Sequence, residues 1–283
     1  MTITSLKIIA LILMTIDHIG VLIFPETEWL RYIGRLSAPI FVFCVTEAMR
    51  NTSNQKKYLG KLFGFSLVTT FLFYMAMLVD FCLTGKMSEI PLNITGLLFQ
   101  GALLIYIIEA VRQKKDKWQW LILGYIIYQC IMKQLYEPIL HCGFGYQVWL
   151  NGPLSHFGGA WMALFPIFYY SKKHMAFNYV IYCILYWFVR VSSIFAKVGV
   201  GLDFYGPKAI SIIYRFIFTK ILGFNTTIYV NHSLHDYQWL MIFSVIFIML
   251  YNGKYGKGLK KLFYVYYPLH IIVLYFIGQY AVG

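Results

Sequence analysis

An acid and a histidine stand side by side within the first apolar run of the chain. Residues 15–20 read TIDHIG, with IIALILM before them and VLIF after them, so Asp17 and His18 have apolar residues on both sides. A charged side chain in a membrane helix costs about 2.5–3.5 kcal/mol on insertion scales, which makes it a candidate for function. A histidine that a carboxylate orients is a general base for a hydroxyl or an amine. The pair predicts acid–base chemistry, and a structural ion pair between helices is the alternative.

The second apolar run places a cation at the same depth. If the N-terminus is cytoplasmic, Asp17 and His18 lie about 10 Å below the outer end of the first span, at 1.5 Å per residue. Arg35 then lies about 9 Å into the second span, which runs back inward. We therefore expect Asp17 and Arg35 to pair across the first hairpin. Arg35 would either hold Asp17 in place or polarise a substrate carbonyl.

Other ionisable residues in apolar surroundings extend the list of candidates. Glu47 and Arg50 end the second span three residues apart, so they can pair on one helix face. His270 follows Pro268 in the last span and becomes a catalytic candidate only if the fold brings it to the same cavity. Arg190 has no partner in its own span, so we expect it to meet a protein carboxylate or a ligand phosphate.

The sequence gives little support for metal binding, nucleotide binding or serine hydrolysis. His232, His235 and Asp236 in the outer stretch 231–236 have spacing that a metal site can use, but spacing alone is a weak signal, and we expect no metal. The chain has no Walker A motif and no dinucleotide-binding glycine fingerprint. It also lacks the GxSxG elbow of hydrolases. These absences argue against an ATP-driven pump and a serine hydrolase.

The composition assigns these residues to a membrane protein. Of the 283 residues 60% are hydrophobic and 12% are charged, whereas soluble domains carry about 25% charged residues. We predict a single all-α domain, residues 1–283, folded as a polytopic transmembrane helical bundle in a lipid bilayer. The net charge of +13 comes from short basic loops, as the positive-inside rule predicts, and does not indicate nucleic-acid binding.

The spans and the basic loops predict the topology. Basic loops at 50–61, 112–117 and 171–174 follow the second, fourth and sixth spans, which places them and the N-terminus in the cytoplasm. A fourth basic loop, 252–261, falls on the same side if the run 208–224 is an amphipathic or re-entrant helix and does not cross. We prefer nine full spans plus this helix, and ten spans are the alternative. The predicted spans are 5–24, 33–49, 62–83, 94–111, 118–136, 157–170, 177–198, 237–251 and 262–280.

Two long stretches resemble one known family. IALILMTIDHIG and LRYIGRLSAPIFVFCVTEAMRNTSNQKKYLGKL, within 8–61, and YNGKYGKGLKKLFYVYYPLHIIVLY, 251–275, resemble the TraX family. The family's namesake is linked to N-terminal acetylation of conjugative pilin. Lys57 stands before the loop tyrosine where the family pattern leads us to expect Arg. The region 62–250 resembles the family in hydropathy alone.

The resemblance implies an activity and a site. TraX proteins are similar to polytopic membrane acyltransferases, which carry a histidine in an early membrane helix and use cytoplasmic acetyl-CoA. An acetyl-CoA-dependent acetyltransferase of the bacterial cytoplasmic membrane is therefore expected. Its acceptor would be the N-terminal amine of a pilin-like or other peptide, or an envelope glycan hydroxyl. The implied catalytic residues are His18, Asp17, Arg35, His270 and Glu47, and the implied contacts to coenzyme A are Arg50, Lys56, Lys57 and Arg190.

Two other functions stay open at the level of sequence. A transporter for an organic anion would line its path with arginines and would show an inverted repeat. A non-catalytic subunit of a secretion or conjugation machine would use Asp17 and Arg35 only to join helices and would tolerate His18→Gln. The acyl chain length and assembly into a homo-oligomer are equally open.

Overall fold

The protein is a helical bundle in the part that its computed structural model describes, which comprises residues 1–85, 90, 93–113, 119–140, 153, 159–191, 194–221 and 237–280. Every regular element of these residues is helical, which confirms the predicted fold class. The π-helical turns span Phe216–Ile221, and a 3-10 helix spans Tyr237–Phe243. The α-helices are α1 Ile3–Leu22, α2 Glu28–Gly34, α3 Ser37–Asn51, α4 Gln55–Thr84, α5 Ile94–Arg112, α6 Gln119–Leu140, α7 Gly159–Tyr170, α8 Met175–Val191, α9 Ile194–Tyr205, α10 Lys208–Arg215, α11 Ser244–Met249 and α12 Lys260–Tyr280.

Five helices are long and apolar enough to cross a membrane: Ile3–Leu22, Glu28–Asn51, Gln55–Thr84, Ile94–Arg112 and Lys261–Tyr280. A helix of about 20 residues is about 30 Å long, which matches the hydrocarbon core of a bilayer. Shorter apolar helices of the described residues lie within the predicted spans between 118 and 251. The chain is thus a membrane protein with several apolar helices, and the full count of nine to ten stays a prediction.

The second span is interrupted beside α1. Helix α2 ends at Gly34 and α3 begins at Ser37, so the irregular stretch is next to Gly34. Pro39 lies in the first turn of α3, where a missing N–H does little harm. A Cβ atom at Gly34 would lie 2.2 Å from the Cβ of Asp17. Only glycine lets the two helices approach so closely, and this approach brings α2 onto the acid in α1.

Helix α5 begins inside the bundle. Its N-cap residue Asn93 is buried and donates from Nδ2 to the Thr70 hydroxyl over 2.9 Å. Thr70 lies near the middle of the 30-residue α4. Ile90, just before this start, packs against an apolar cluster that includes Met14 and Tyr267. Non-helical backbone at such depth is tolerated where protein buries it or where it lines a cavity.

The fourth basic loop lies beside the N-terminus. The backbone N–H of Ile3 donates to the Lys254 carbonyl over 3.0 Å, and that of Thr4 donates to the Tyr255 carbonyl over 3.0 Å. Both segments therefore occupy one end of the bundle, in agreement with a 208–224 run that does not cross. In α10 of that run, Arg215 pairs with Asp203 of α9.

Candidate active site

Two buried histidines from opposite ends of the sequence meet inside the bundle. His18 of α1 and His270 of α12 are each 8% exposed, and Nδ1 of His18 lies 3.1 Å from Nε2 of His270. Their ring centroids are 5.2 Å apart. His270 thus contacts His18, which lines the cavity described below, and its place among the catalytic residues stays a prediction.

The hydrogen bonds assign the proton positions on both rings. Nδ1 of His270 lies 2.8 Å from the Tyr266 carbonyl oxygen, which can only accept, so this nitrogen carries a hydrogen. In the neutral ring Nε2 of His270 is then an acceptor, and Nδ1 of His18 must donate to it. Neutral His18 consequently has its lone pair on Nε2. That atom, on the other edge of the ring, can take a proton.

Asp17 forms an ion-pair cluster with two arginines. Its Oδ1 lies 3.3 Å from Nη2 of Arg35, and its Oδ2 lies 3.2 Å from Nη1 of Arg31. The predicted pair of Asp17 and Arg35 is present. The expectation that Asp17 orients the His18 imidazole needs correction, because the described contacts of this carboxylate are with guanidinium groups and His18 is held by His270. Arg31 was missed, although its spacing of four from Arg35 puts both on one helix face.

A small cavity lies against these groups. Its volume is about 150 Å³, and Asp17, His18, Arg35, Trp161, Gln238 and Tyr267 are among its lining residues. Nη1 of Arg35 also donates to Oε1 of Gln238 over 3.1 Å. The polar groups of the cavity are thus held by one another, which gives the site a fixed geometry.

A larger cavity lies beside the small one, toward the end of the bundle that carries the N-terminus. It has a volume of about 510 Å³, mostly apolar walls, and three lysines in its lining, Lys7, Lys57 and Lys61. Ile94 and Tyr267 line both this cavity and the smaller one. The N–H of Ile94 donates to the Tyr267 hydroxyl over 3.1 Å, so this contact forms the wall between the two cavities.

The predicted basic contacts divide into two groups. Lys57 lines the large cavity, whereas Lys56 is exposed beside it. Lys7 and Lys61 were missed by the sequence analysis, which considered the basic loops as blocks. Arg190 lies in α8, but its side chain falls outside the described part of the structure, as does the whole motif 231–236.

Glu47 and Arg50 lie apart from the histidines. They form the predicted ion pair within α3, and Nη2 of Arg50 donates to the carbonyl oxygens of Phe168 and Tyr169 over 2.7 Å each. Arg50 faces a separate open cavity of about 620 Å³ that Arg112 also lines. Because its donors bind α7, Arg50 is a helix-joining residue in this arrangement. We do not place Glu47 or Arg50 among the reacting groups.

Comparisons with known proteins relate most of these elements to one family. The sequence profile described as TraX protein matches residues 3–175, more than half of the chain. A probable fimbrial assembly protein of Dichelobacter nodosus (FimC, serogroup H1) is 37% identical over 68 residues, 23% of this chain and 28% of that protein. An uncharacterized protein of Rickettsia prowazekii (strain Madrid E) is 53% identical over 38 residues, 13% of this chain and 15% of that protein. The matches therefore cover less than a third of either curated relative, and no solved structure matches significantly.

Proposed function

Because the chain belongs to the TraX family, we propose that it is an integral-membrane acetyltransferase that uses acetyl-CoA as the donor. The observation that carries this proposal is the meeting of two cavities. A large cavity with lysines in its lining shares the wall of Ile94 and Tyr267 with the small cavity that His18 lines. A long donor with an anionic head and a reactive tip fits such a path.

The large cavity suits the coenzyme. Its volume of about 510 Å³ lies within the range of about 300–1,000 Å³ that is usual for small-molecule sites. Lys7, Lys57 and Lys61 supply point charges for the coenzyme phosphates. The apolar walls would hold the pantetheine arm, and the thioester would reach the wall between the cavities. Lys56 contributes to the positive field near this end of the bundle.

The histidine pair supplies the proton transfer. Nε2 of His18 takes the proton of the attacking amine or hydroxyl as the new bond to the acetyl carbon forms. The C–S bond then breaks, and the thiolate of coenzyme A receives a proton from the same nitrogen. His270 orients His18 and stabilises its charged form by accepting from Nδ1.

The ion-pair cluster positions the acceptor side of the site. Asp17 with Arg31 and Arg35 carries one net positive charge, and all three groups are about four-fifths buried. Arg35 donates to both Asp17 and Gln238. These bonds favour the role of holding Asp17 over that of polarising the thioester carbonyl.

The relatives support one of the two proposed classes of acceptor. A fimbrial assembly protein is among them, which favours the N-terminal amine of a pilin-like peptide over an envelope glycan hydroxyl. The proposed location is the bacterial cytoplasmic membrane, with the N-terminus and the lysine-lined cavity on the cytoplasmic side, where acetyl-CoA is found.

The test combines binding with turnover. Purified protein in lipid nanodiscs is titrated with acetyl-CoA by calorimetry, and release of coenzyme A thiol is followed with two probes. These are an apolar peptide with a free N-terminal amine and a lipid-linked glucoside. We expect saturable binding in the wild type, and in His18→Ala binding without thiol release. His174→Ala is the matched control, because His174 is an exposed histidine outside both cavities. Folded wild-type protein that binds no acetyl-CoA would overturn the proposal.

A further inference from the structure

Tyr267 occupies the point at which the two cavities meet. It is 5% exposed, and its ring packs against Phe73 and His270. With Ile94 it lines both the lysine-lined cavity and the histidine cavity. Any chain that extends from one cavity toward His18 must pass this side chain.

The hydroxyl of Tyr267 has its hydrogen available to donate. It accepts the N–H of Ile94 over 3.1 Å, and this is the one hydrogen bond of that hydroxyl among the described residues. A phenol oxygen that accepts keeps its own hydrogen available to donate. The hydrogen is therefore free for a ligand atom at the wall between the cavities.

The start of α5 strengthens this donor. The amides at an α-helix N-terminus carry a partial positive charge of about half a unit. Here that terminus lies deep in the bundle, where the dielectric screening of water is weak. Asn93 caps the amide of Thr95 through its Oδ1, over 3.0 Å, while the amide of Ile94 is bound by Tyr267. Because the Tyr267 hydroxyl accepts a hydrogen bond from this partly positive helix end, it becomes a stronger hydrogen-bond donor to a group in the cavities.

Resting on the proposed acetyl transfer, we infer that Tyr267 is a catalytic residue that stabilises the oxyanion of the reaction. The nucleophile adds to the thioester carbonyl carbon, and the π electrons of the C=O bond move onto its oxygen. The Tyr267 hydroxyl donates a hydrogen bond to this negative oxygen. The electron pair then re-forms C=O as the C–S bond breaks, and the proton lost by the nucleophile reaches the departing sulfur through His18. Nothing is oxidised or reduced in this sequence.

The direct test is Tyr267→Phe in the nanodisc assay with acetyl-CoA and the peptide amine. Loss of one oxyanion donor lowers kcat by about 10²–10³-fold, and we expect the KM for acetyl-CoA to change much less. Tyr275→Phe is the matched control, since Tyr275 is a buried tyrosine of the same helix whose hydroxyl donates to Asp80. A kcat for Tyr267→Phe equal to that of the control would overturn the inference.

A second variant separates catalysis from structure. Difluorotyrosine at position 267, introduced by an expanded genetic code, makes the hydroxyl a stronger donor and a weaker acceptor. The inference predicts a higher kcat than that of tyrosine. A bond that served only to hold the Ile94 amide would weaken, so an unchanged or lower kcat would overturn the inference.

Different results would overturn the proposed acetyl transfer and the role of Tyr267. A wild-type protein that consumes no acetyl-CoA would remove the proposed function, and this inference with it. A wild type that is active, loses activity in His18→Ala and keeps it in Tyr267→Phe would overturn only the role of Tyr267.

Discussion

The first hairpin contains two acid–arginine clusters with different surroundings. Asp17 with Arg31 and Arg35 lies beside a cavity that a histidine also lines. Glu47 with Arg50 ends α3, and Nη2 of Arg50 donates to the backbone of α7. Similar side chains therefore have two uses. The first cluster lies beside the cavity that His18 lines, whereas Arg50 of the second cluster joins α3 to α7 at the edge of a separate open cavity.

The sharpest test of this comparison is the loss of the histidine next to the first cluster. We predict that His18→Gln lowers acetyl transfer by about 10²–10⁴-fold, the usual contribution of a general base. Glu47→Gln should change the rate of the protein that remains folded by less than about threefold, since it lies outside the path of the reaction. Thiol release from acetyl-CoA measures both. Equal losses of acetyl-transfer rate in the two variants would contradict the difference between the two clusters.

The second cluster should matter more for stability than for chemistry. Glu47 is 6% exposed, and removal of one partner from a buried pair costs about 3–5 kcal/mol because a charge is left uncompensated. We predict a clear fall in the thermal midpoint of Glu47→Gln in nanodiscs. The double variant Glu47→Gln with Arg50→Met should recover part of it. A midpoint unchanged in the single variant would contradict the structural role.

Helix approach at the first cluster can be tested at one glycine. Gly34→Ala would place a Cβ atom 2.2 Å from that of Asp17, and overpacking of this kind costs about 1–3 kcal/mol. We predict a lower thermal midpoint and a lower transfer rate, because α2 would carry Arg31 and Arg35 away from Asp17. Gly64→Ala in α4 is the control, with nothing within 4 Å of its added Cβ. Full activity of Gly34→Ala would show that the cluster does not position the site.

The smallest expected effect concerns the lysines. Lys57 lines the large cavity, and its neighbour Lys56 does not. We predict that Lys57→Gln raises the KM for acetyl-CoA several-fold, about 1 kcal/mol for one exposed ion pair, while Lys56→Gln raises it less. The difference should shrink in high salt, which screens exposed charges. Steady-state kinetics at two salt concentrations measure it, and equal effects would remove Lys57 from the coenzyme site.

Residue spacing predicted the contact within the first hairpin but did not predict the contact between residues that are far apart in the sequence. The pair of Asp17 and Arg35 follows from the rise per residue of two helices that a short loop connects. The contact of His18 with His270 joins residues 252 positions apart, so no local pattern contains it. Family resemblance named both histidines without placing them together.

Hydropathy also did not predict how deep in the bundle α5 begins. The run 94–111 reads as an ordinary span, yet α5 begins beside the middle of α4. The sequence signal was Asn93, a good N-cap residue directly before an apolar run. A cap predicts where a helix begins along the chain, but tertiary packing decides how deep that point lies. Tyr267 was missed for the same reason, because its role depends on that depth.

The proposed acetyl transfer requires that the two cavities form one path for the donor. A coenzyme A thioester with a small photoreactive diazirine acyl group tests this most directly, with crosslinked peptides identified by mass spectrometry. We predict crosslinks to α1 and α12 near His18 and Tyr267 that are lost in the presence of excess acetyl-CoA. Crosslinks confined to Tyr169–His174, beside the open cavity of Arg50 and Arg112, would contradict it.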